Sequence, residues 1–307
     1  MDDLLTISKE TLRSMQIVDW SYTEEDTPKT FEHYSKWVDE GLHGELGYLA
    51  DHRKDLREKI SAFYPNFKSS LVFLFDYTPA AKKNNEDNDH TFAAYTKGFD
   101  GMDYHYWIKD KLEKLTKLLD LEEYAFSIDA QPVLERDLAF RSGLGWFGKN
   151  SMLINKTHGS FFLISAIFLD KKFSLDSNNL ETDHCGSCTR CIDACPTNAI
   201  LDNRTIDAVK CISTFTIEHF KDDVNPPKGY PTERGEIFGC DICQDVCPWN
   251  SKPLMRSEIG NYAKFEKTFK EVDLENISNR EFKRIFKATS LERTGRVGIL
   301  KNLKYLK

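Results

Sequence analysis

Apolar residues keep helical spacing most clearly at Ile108, Leu112, Leu115 and Leu119, which stand at i, i+4, i+7 and i+11 with Lys and acidic residues between them. That pattern predicts an amphipathic helix. The run Leu71–Tyr77, closed by Thr78-Pro79, reads as a buried strand. Ser151–Ile154 and Ser160–Leu169 flank the turn-rich Asn155–Gly159 and predict a β-hairpin. Pro132 suits the first turn of a helix reaching about Arg141, with Gly143 placed to stop it. Helices and strands are mixed, an α+β class.

With 307 residues, 40% hydrophobic and 30% charged, the chain has enough apolar surface for a sizeable core, which excludes bulk disorder. The longest apolar stretch, Phe161–Leu169, is far short of the ~20 residues of a spanning helix. The acidic start MDDLLTISKE has no export signal, so we expect a cytoplasmic protein without membrane contact. Charge is unevenly spread: residues 280–307 carry nine Lys or Arg against two Glu, net +7, and the other residues carry −14. A basic segment on an acidic body is either a solvated helical tail or a contact for a polyanion.

All eight cysteines lie between Cys185 and Cys247. Cys185, Cys188, Cys191 and Cys195, followed by Pro196, reproduce the C-x2-C-x2-C-x3-C-P spacing of bacterial ferredoxins, whose fourth cysteine serves the other of two clusters. The second run, Cys240, Cys243 and Cys247-Pro248, lacks one cysteine at its front, and Cys211 supplies it. Crossed ligation then uses every sulfur: Cys185, Cys188, Cys191 and Cys247 on one [4Fe–4S] cluster, and Cys195, Cys211, Cys240 and Cys243 on the other. A pair of zinc sites would also use C-x2-C pairs, but not this crowding with a Pro behind it twice. Neither run has the spacing of an S-adenosylmethionine radical enzyme. Two such clusters pass single electrons, so the upstream residues should hold their acceptor.

Gly143–Asn150 satisfies both G-x-G-x-x-G and most of a P-loop pattern, yet Asn150 replaces the P-loop hydroxyl, and a helix precedes where a strand should. A nucleotide site is not expected. Three glycines beside Trp146 and Lys149 suit either a helix stop with a bulged strand or a backbone that approaches a flat ligand closely.

Taken with Ala94–His105, Ile128–Arg136, Gly143–Ser151, Cys211–Glu218 and both cysteine runs, in that order, the chain resembles the epoxyqueuosine reductases along nearly its whole length. The resemblance implies a nitroreductase-like, reductive-dehalogenase-like cobalamin-binding domain over residues 1–175. A ferredoxin-like module with two [4Fe–4S] clusters over 176–258 and a basic helical segment over 259–307 would follow. It further implies a monomer that reduces epoxyqueuosine in tRNA at cobalamin, with electrons from a flavodoxin- or ferredoxin-type donor. Glu135 aligns with the family's proton donor, with Asp137 as the alternative, and cofactor contacts would come from Glu135 with Arg57, Tyr104, His105, Arg141, Trp146, Lys149, Asn150, Ser151, Ser213 and Glu218. The D-x-H-x-x-G motif of base-off cobalamin proteins fails, because Ile108 stands at its glycine. Phe215 and Trp249 would shield the clusters from solvent. Many relatives continue into a helical-repeat domain that helps hold tRNA. In this short form the grip would pass to the basic segment, Lys301, Lys304 and Lys307 included. A non-catalytic ferredoxin-type carrier and a cobalamin reductase of another substrate, such as an organohalide, are the competing functions.

Overall fold

The computed structural model describes residues 5–77, 91–97, 99–175, 179–220, 224–233, 235–251 and 268–306. In chain order the elements used below are α1 (Lys9–Ser14), β1 (Ile17–Thr23), α2 (Phe31–Asp39), β2 (Ser69–Asp76), β3 (Thr91–Phe92), α3 (Tyr104–Leu118), β4 (Tyr124–Ser127), α4 (Glu135–Arg141), β5 (Trp146–Phe147), β6 (Leu153–Ile154), β7 (Phe162–Leu169), α5 (Arg190–Ala194), α6 (Ile212–Glu218), β8 (Glu236–Phe238), α7 (Ile242–Asp245), α8 (Asn279–Ile285) and α9 (Leu291–Lys304). Thr78-Pro79 and Lys307 lie outside the described residues, as does the expected boundary at 258/259, and that at 175/176 adjoins undescribed ones.

A four-stranded antiparallel sheet, ordered β1-β2-β7-β4, forms the centre of the upstream part. Because successive strand residues face opposite sides, β2 divides its side chains between two cores. Leu71, Phe73 and Phe75 meet Ile108, Leu112 and Leu115 of α3, whereas Val72 and Leu74 meet Leu138 and Ala139 of α4. Helices thus cover both faces, which is why the strand is apolar throughout instead of alternating. Each large side chain buried this way contributes roughly 1.5–3 kcal/mol.

The predicted helix at 108–119 and strands at 71–77 and 160–169 are present within a few residues. The helix before Gly143 begins only at Glu135, because residues 128–134 form a tight turn in which Gln131 Oε1 accepts the Ile128 N–H at 2.8 Å. Gly143 (φ +76°) ends α4 as expected: its N–H reaches Phe140 O and that of Leu144 reaches Ala139 O, a Schellman closure. The predicted hairpin is re-paired. Residues 153–154 pair with 146–147, and β7 pairs with β2 and β4. Asn155 turns the chain by accepting the Thr157 and His158 N–H groups while donating to Leu144 O.

This re-pairing also explains the glycines. A Cβ on Gly145 would stand 2.2 Å from Ile154 O, and one on Gly148 would stand 2.5 Å from Ile154 Cδ1. Their freedom serves β5–β6 packing. Gly145→Ala is expected to cost about 1–3 kcal/mol, measured as a lower Tm of the whole chain; an unchanged Tm would refute this packing.

Downstream, β3 pairs in parallel with β8 and joins the cysteine region to the upstream residues. The basic segment is not a solvated tail. Phe282, Phe286, Leu291 and Ile299 form a core with Ile237 and Phe238 of β8, while Asn302 donates to Thr216 O and Ile237 O. Lys301 is 1% exposed, its Nζ bonded to Phe215 O (2.5 Å) and His219 O (2.9 Å), and burial lowers its pKa to about 8. Lys301 is therefore unavailable to tRNA phosphates, a correction to its expected role. Among the described residues no helix is long and apolar enough to cross a membrane.

Candidate functional site

The two cysteine runs fold alike. Cys191 lies in α5 and Cys243 in α7, and each run ends on an extended residue before proline, Cys195 (φ −71°, ψ 107°) and Cys247 (φ −72°, ψ 123°). Proline disfavours the helical region for the preceding residue, so each fourth sulfur leaves its own helix. The thiols influence one another in two sets. Cys247 feels Cys185 and Cys188, and Cys191 feels Cys247 and Cys185; Cys211 feels Cys195, and Cys240 and Cys243 both feel Cys211. These groupings are the ones that crossed ligation would use. Only the Cys243–Cys191 influence among these crosses the sets, as neighbouring clusters require. Burial is the largest cause pushing these five thiols up, so each must lose a proton when iron binds.

The donor set suits iron–sulfur clusters in a further respect. Trp146 is 2% exposed and packs with Cys247, Cys185 and Trp249, and its buried Nε1–H has no hydrogen-bond partner. A sulfur acceptor would satisfy it. Cys211 stands at the N-cap of α6, where the Ser213 and Thr214 N–H groups favour its thiolate, and the Ala199 N–H reaches Cys195 Sγ at 3.3 Å.

Upstream, a group of carboxylates and phenols gathers at the start of α3 and α4. Asp103 caps α3 by accepting the His105 N–H at 2.9 Å, which sets Tyr104 and His105 in the first turn with rings 4.1 Å apart. Tyr104 OH donates to Asp129 Oδ2 at 2.5 Å, and the Asp129 N–H donates to Glu135 Oε1 at 2.8 Å. Asp129 makes both contacts from a left-handed conformation (φ +58°), which Asp tolerates better than most residues. Glu135 Oε1 also accepts from Ser127 Oγ.

Burial, and next the Asp129 charge, raise the Glu135 pKa to about 8, against the opposing bonds from Ser127 and the Asp129 N–H. Both effects favour the protonated form of Glu135. The Asp129 charge is also felt by Tyr48 and Arg293. Arg293 forms a bidentate pair with Glu218 at 2.9 and 2.6 Å, 5.9 Å over the Tyr48 ring. Burial, then the Glu218 charge, push the Tyr48 phenol up to about 12.

The residues expected at the cofactor separate into groups. Tyr104, His105, Glu135 and Glu218 belong to this charged cluster, and Arg57 joins it through its charge on Tyr48. Lys149 and Asn150 reach the cysteine module instead: Lys149 Nζ donates to Gly186 O at 2.8 Å, and Asn150 Nδ2 to Cys243 O at 3.4 Å. Trp146 and Ser213 likewise stand beside sulfurs. Ser151 binds Arg136 through its carbonyl and hydroxyl oxygens. Arg141 is sealed: its side chain and that of Asp137 are fully buried, 3.3 Å apart, and it donates to Glu25 O. A cofactor contact by Arg141 would require this buried pair to open. Asp137, the alternative acid, also accepts the Thr30 N–H at 2.8 Å and lies outside the Glu135 cluster. Tyr48, Ser127, Asp129 and Arg293 join the site without having been expected there from the sequence, because contacts between distant segments bring most of them together.

Comparison with known proteins bears on both halves of the site. Residues 184–250 match the family model of a 4Fe-4S double cluster binding domain, and residues 57–131 match that of epoxyqueuosine reductase QueG, DUF1730. An epoxyqueuosine reductase of Cyclobacterium marinum is 38% identical over 300 residues, covering 95% of this chain and 91% of that protein. One from Leadbetterella byssophila is 38% identical over 295 residues, covering 93% and 91%. Among solved structures, a crystal structure of epoxyqueuosine reductase with a tRNA-Tyr epoxyqueuosine-modified tRNA stem loop superposes with a TM-score of 0.76. It is 25% identical and covers 96% of this chain and 78% of that one.

Proposed function

Because the chain belongs to the epoxyqueuosine reductase family, we propose that it deoxygenates epoxyqueuosine in tRNA in the cytoplasm, drawing electrons through its double-cluster domain to a substrate held beside Glu135. The observation that carries this reading is a carboxylic acid with a pKa raised to about 8, bonded by Ser127 and the Asp129 N–H, with Asp129 in turn bonded by Tyr104 of α3. Removing an epoxide oxygen takes two electrons and two protons and leaves an alkene and water. The opening alkoxide is a poor leaving group until protonated, so an acid that keeps its proton at neutral pH is the part the reaction asks of the protein.

Cobalamin fits the donors available. Tyr48, Arg57, Tyr104, His105, Glu218 and Arg293 offer the mixed donors and acceptors that a corrin rimmed with amides would take up. When bound, it supplies the reductive chemistry at the epoxide carbon. Glu135 delivers the proton to the oxygen. Asp129 positions Glu135 through its N–H and raises its proton affinity through its charge. Lys149, Asn150 and Trp146 hold the cysteine module against the upstream domain, and a flavodoxin- or ferredoxin-type protein supplies the electrons.

The test is digestion of epoxyqueuosine-bearing tRNA after anaerobic incubation with reconstituted protein, cobalamin and a reductant. We expect the nucleoside to lose one oxygen only when cobalamin is present; intact epoxyqueuosine would leave the ferredoxin-type carrier as the better reading. For Asp129→Asn, which keeps the N–H and removes the charge, the alkaline limb of kcat/KM should move about one unit lower. An unmoved limb would remove Asp129 from the tuning of Glu135.

A further inference from the structure

Once Lys301 is set aside as buried, one group of cations in the C-terminal segment stands together on α8 and just past its end. Arg280, Lys283, Arg284 and Lys287 fall at i, i+3, i+4 and i+7 and all are exposed, while Phe282 and Phe286 on the opposite side are 0% and 1% exposed. Within this stretch the one acid is Glu281, paired with Arg284 at 3.5 Å. The helix is fixed at both ends. Ser278 caps it by accepting the Glu281 N–H at 3.1 Å, and just past its end Ala288 O accepts the Asp103 N–H at 2.7 Å. Asp103 is the cap of α3, so the basic face ends where Tyr104 and His105 begin.

Two apolar side chains stand at that junction. Met102 is 41% exposed and Tyr106 is 57% exposed, flanking Asp103 and His105. An exposed aromatic on the helix whose cap is bonded to the end of a row of cations is a combination that suits nucleic acid: cations for phosphates and a ring for an unstacked base. Arg293, five residues after Ala288, continues the line inward to Glu218 and Tyr48.

We propose that the exposed cations of α8, Arg280, Lys283 and Arg284, with Lys287 just past its end and Tyr106 on α3, are the surface that docks the RNA backbone beside the modified nucleotide. This rests on the tRNA reading above. Phosphate contacts there carry no sequence information, and selectivity comes from the nucleotide delivered to Glu135.

The experiment measures binding of unmodified tRNA to the full chain, with clusters and cobalamin loaded, over a series of salt concentrations. The triple variant Arg280→Ala/Lys283→Ala/Lys287→Ala should bind about 10–100-fold more weakly at ~0.1 M salt, with a salt slope shallower by about two to three. Tyr106→Ala should weaken binding about fivefold or more without changing the slope. As a comparison, Lys109→Ala/Lys114→Ala removes exposed lysines paired with Glu113 and Asp110 on α3 and should leave both quantities unchanged. Unaltered affinity and slope in the triple variant, at unchanged Tm and cluster content, would overturn the surface assignment while leaving the functional reading intact. Failure of the unaltered protein to bind tRNA at all would overturn both.

Discussion

Glu135→Gln is expected to lower turnover of epoxyqueuosine-bearing tRNA by about 10²–10⁴-fold, the usual contribution of a positioned general acid, with cluster and cobalamin content unchanged. The substitution preserves the acceptor oxygen bonded by Ser127 and the Asp129 N–H, so it removes the proton and little else. The pH dependence has a defined sign. The reactive form is the protonated one, so activity of the unaltered protein should fall as pH rises through about 8. In a folded chain that keeps this proton to about pH 8, against an unperturbed value of 4.5, stability should also decline as pH rises through that interval. Glu135→Gln should abolish both dependences. Near-normal turnover in that variant would move proton delivery to another group or to water.

How much of this was legible in the sequence depended on whether a feature is local. Cysteine spacing is local: a cluster of fixed size imposes intervals that a chain must repeat, so a double-cluster domain could be read off Cys185–Cys247. The amphipathic period of α3 and the glycine that ends α4 are local as well. Strand pairing is not. Residues 153–154 and 162–169 satisfied a hairpin pattern, yet β7 carries apolar residues on both faces and has more to gain between β2 and β4, where both faces are covered. The sealing of Arg141 by Asp137 depends on α4 lying against the sheet. Arg293 reaches Glu218 across 75 positions of sequence, and no pattern encodes that meeting. Charge counting likewise grouped Lys301 with Arg280 and Lys283, although one is a buried donor to helix carbonyls and the others face solvent.

For Cys247→Ser, loss of turnover to background is expected, together with a spectroscopic signature that separates crossed from sequential ligation. In the crossed arrangement Cys247 serves the cluster of Cys185, Cys188 and Cys191, as their mutual influence indicates. Its loss should therefore disrupt that cluster and leave the one held by Cys195, Cys211, Cys240 and Cys243 intact. The reciprocal variant Cys195→Ser should spare the first and disturb the second. Paramagnetic resonance of the dithionite-reduced variants distinguishes the two clusters. If Cys247→Ser instead removed the cluster of Cys240 and Cys243, the crossing would be refuted.

The account as a whole holds that electrons leave paired clusters for an epoxide that Glu135 protonates. Its most direct test is to reduce the cobalamin-loaded protein, remove the reductant, and follow cluster absorbance on mixing with epoxyqueuosine-bearing tRNA. The account predicts that the clusters reoxidise as oxygen is lost, with about two electrons consumed per nucleoside converted and none without cobalamin. Product formed while the clusters stay reduced, or reoxidation that proceeds equally without cobalamin, would contradict it.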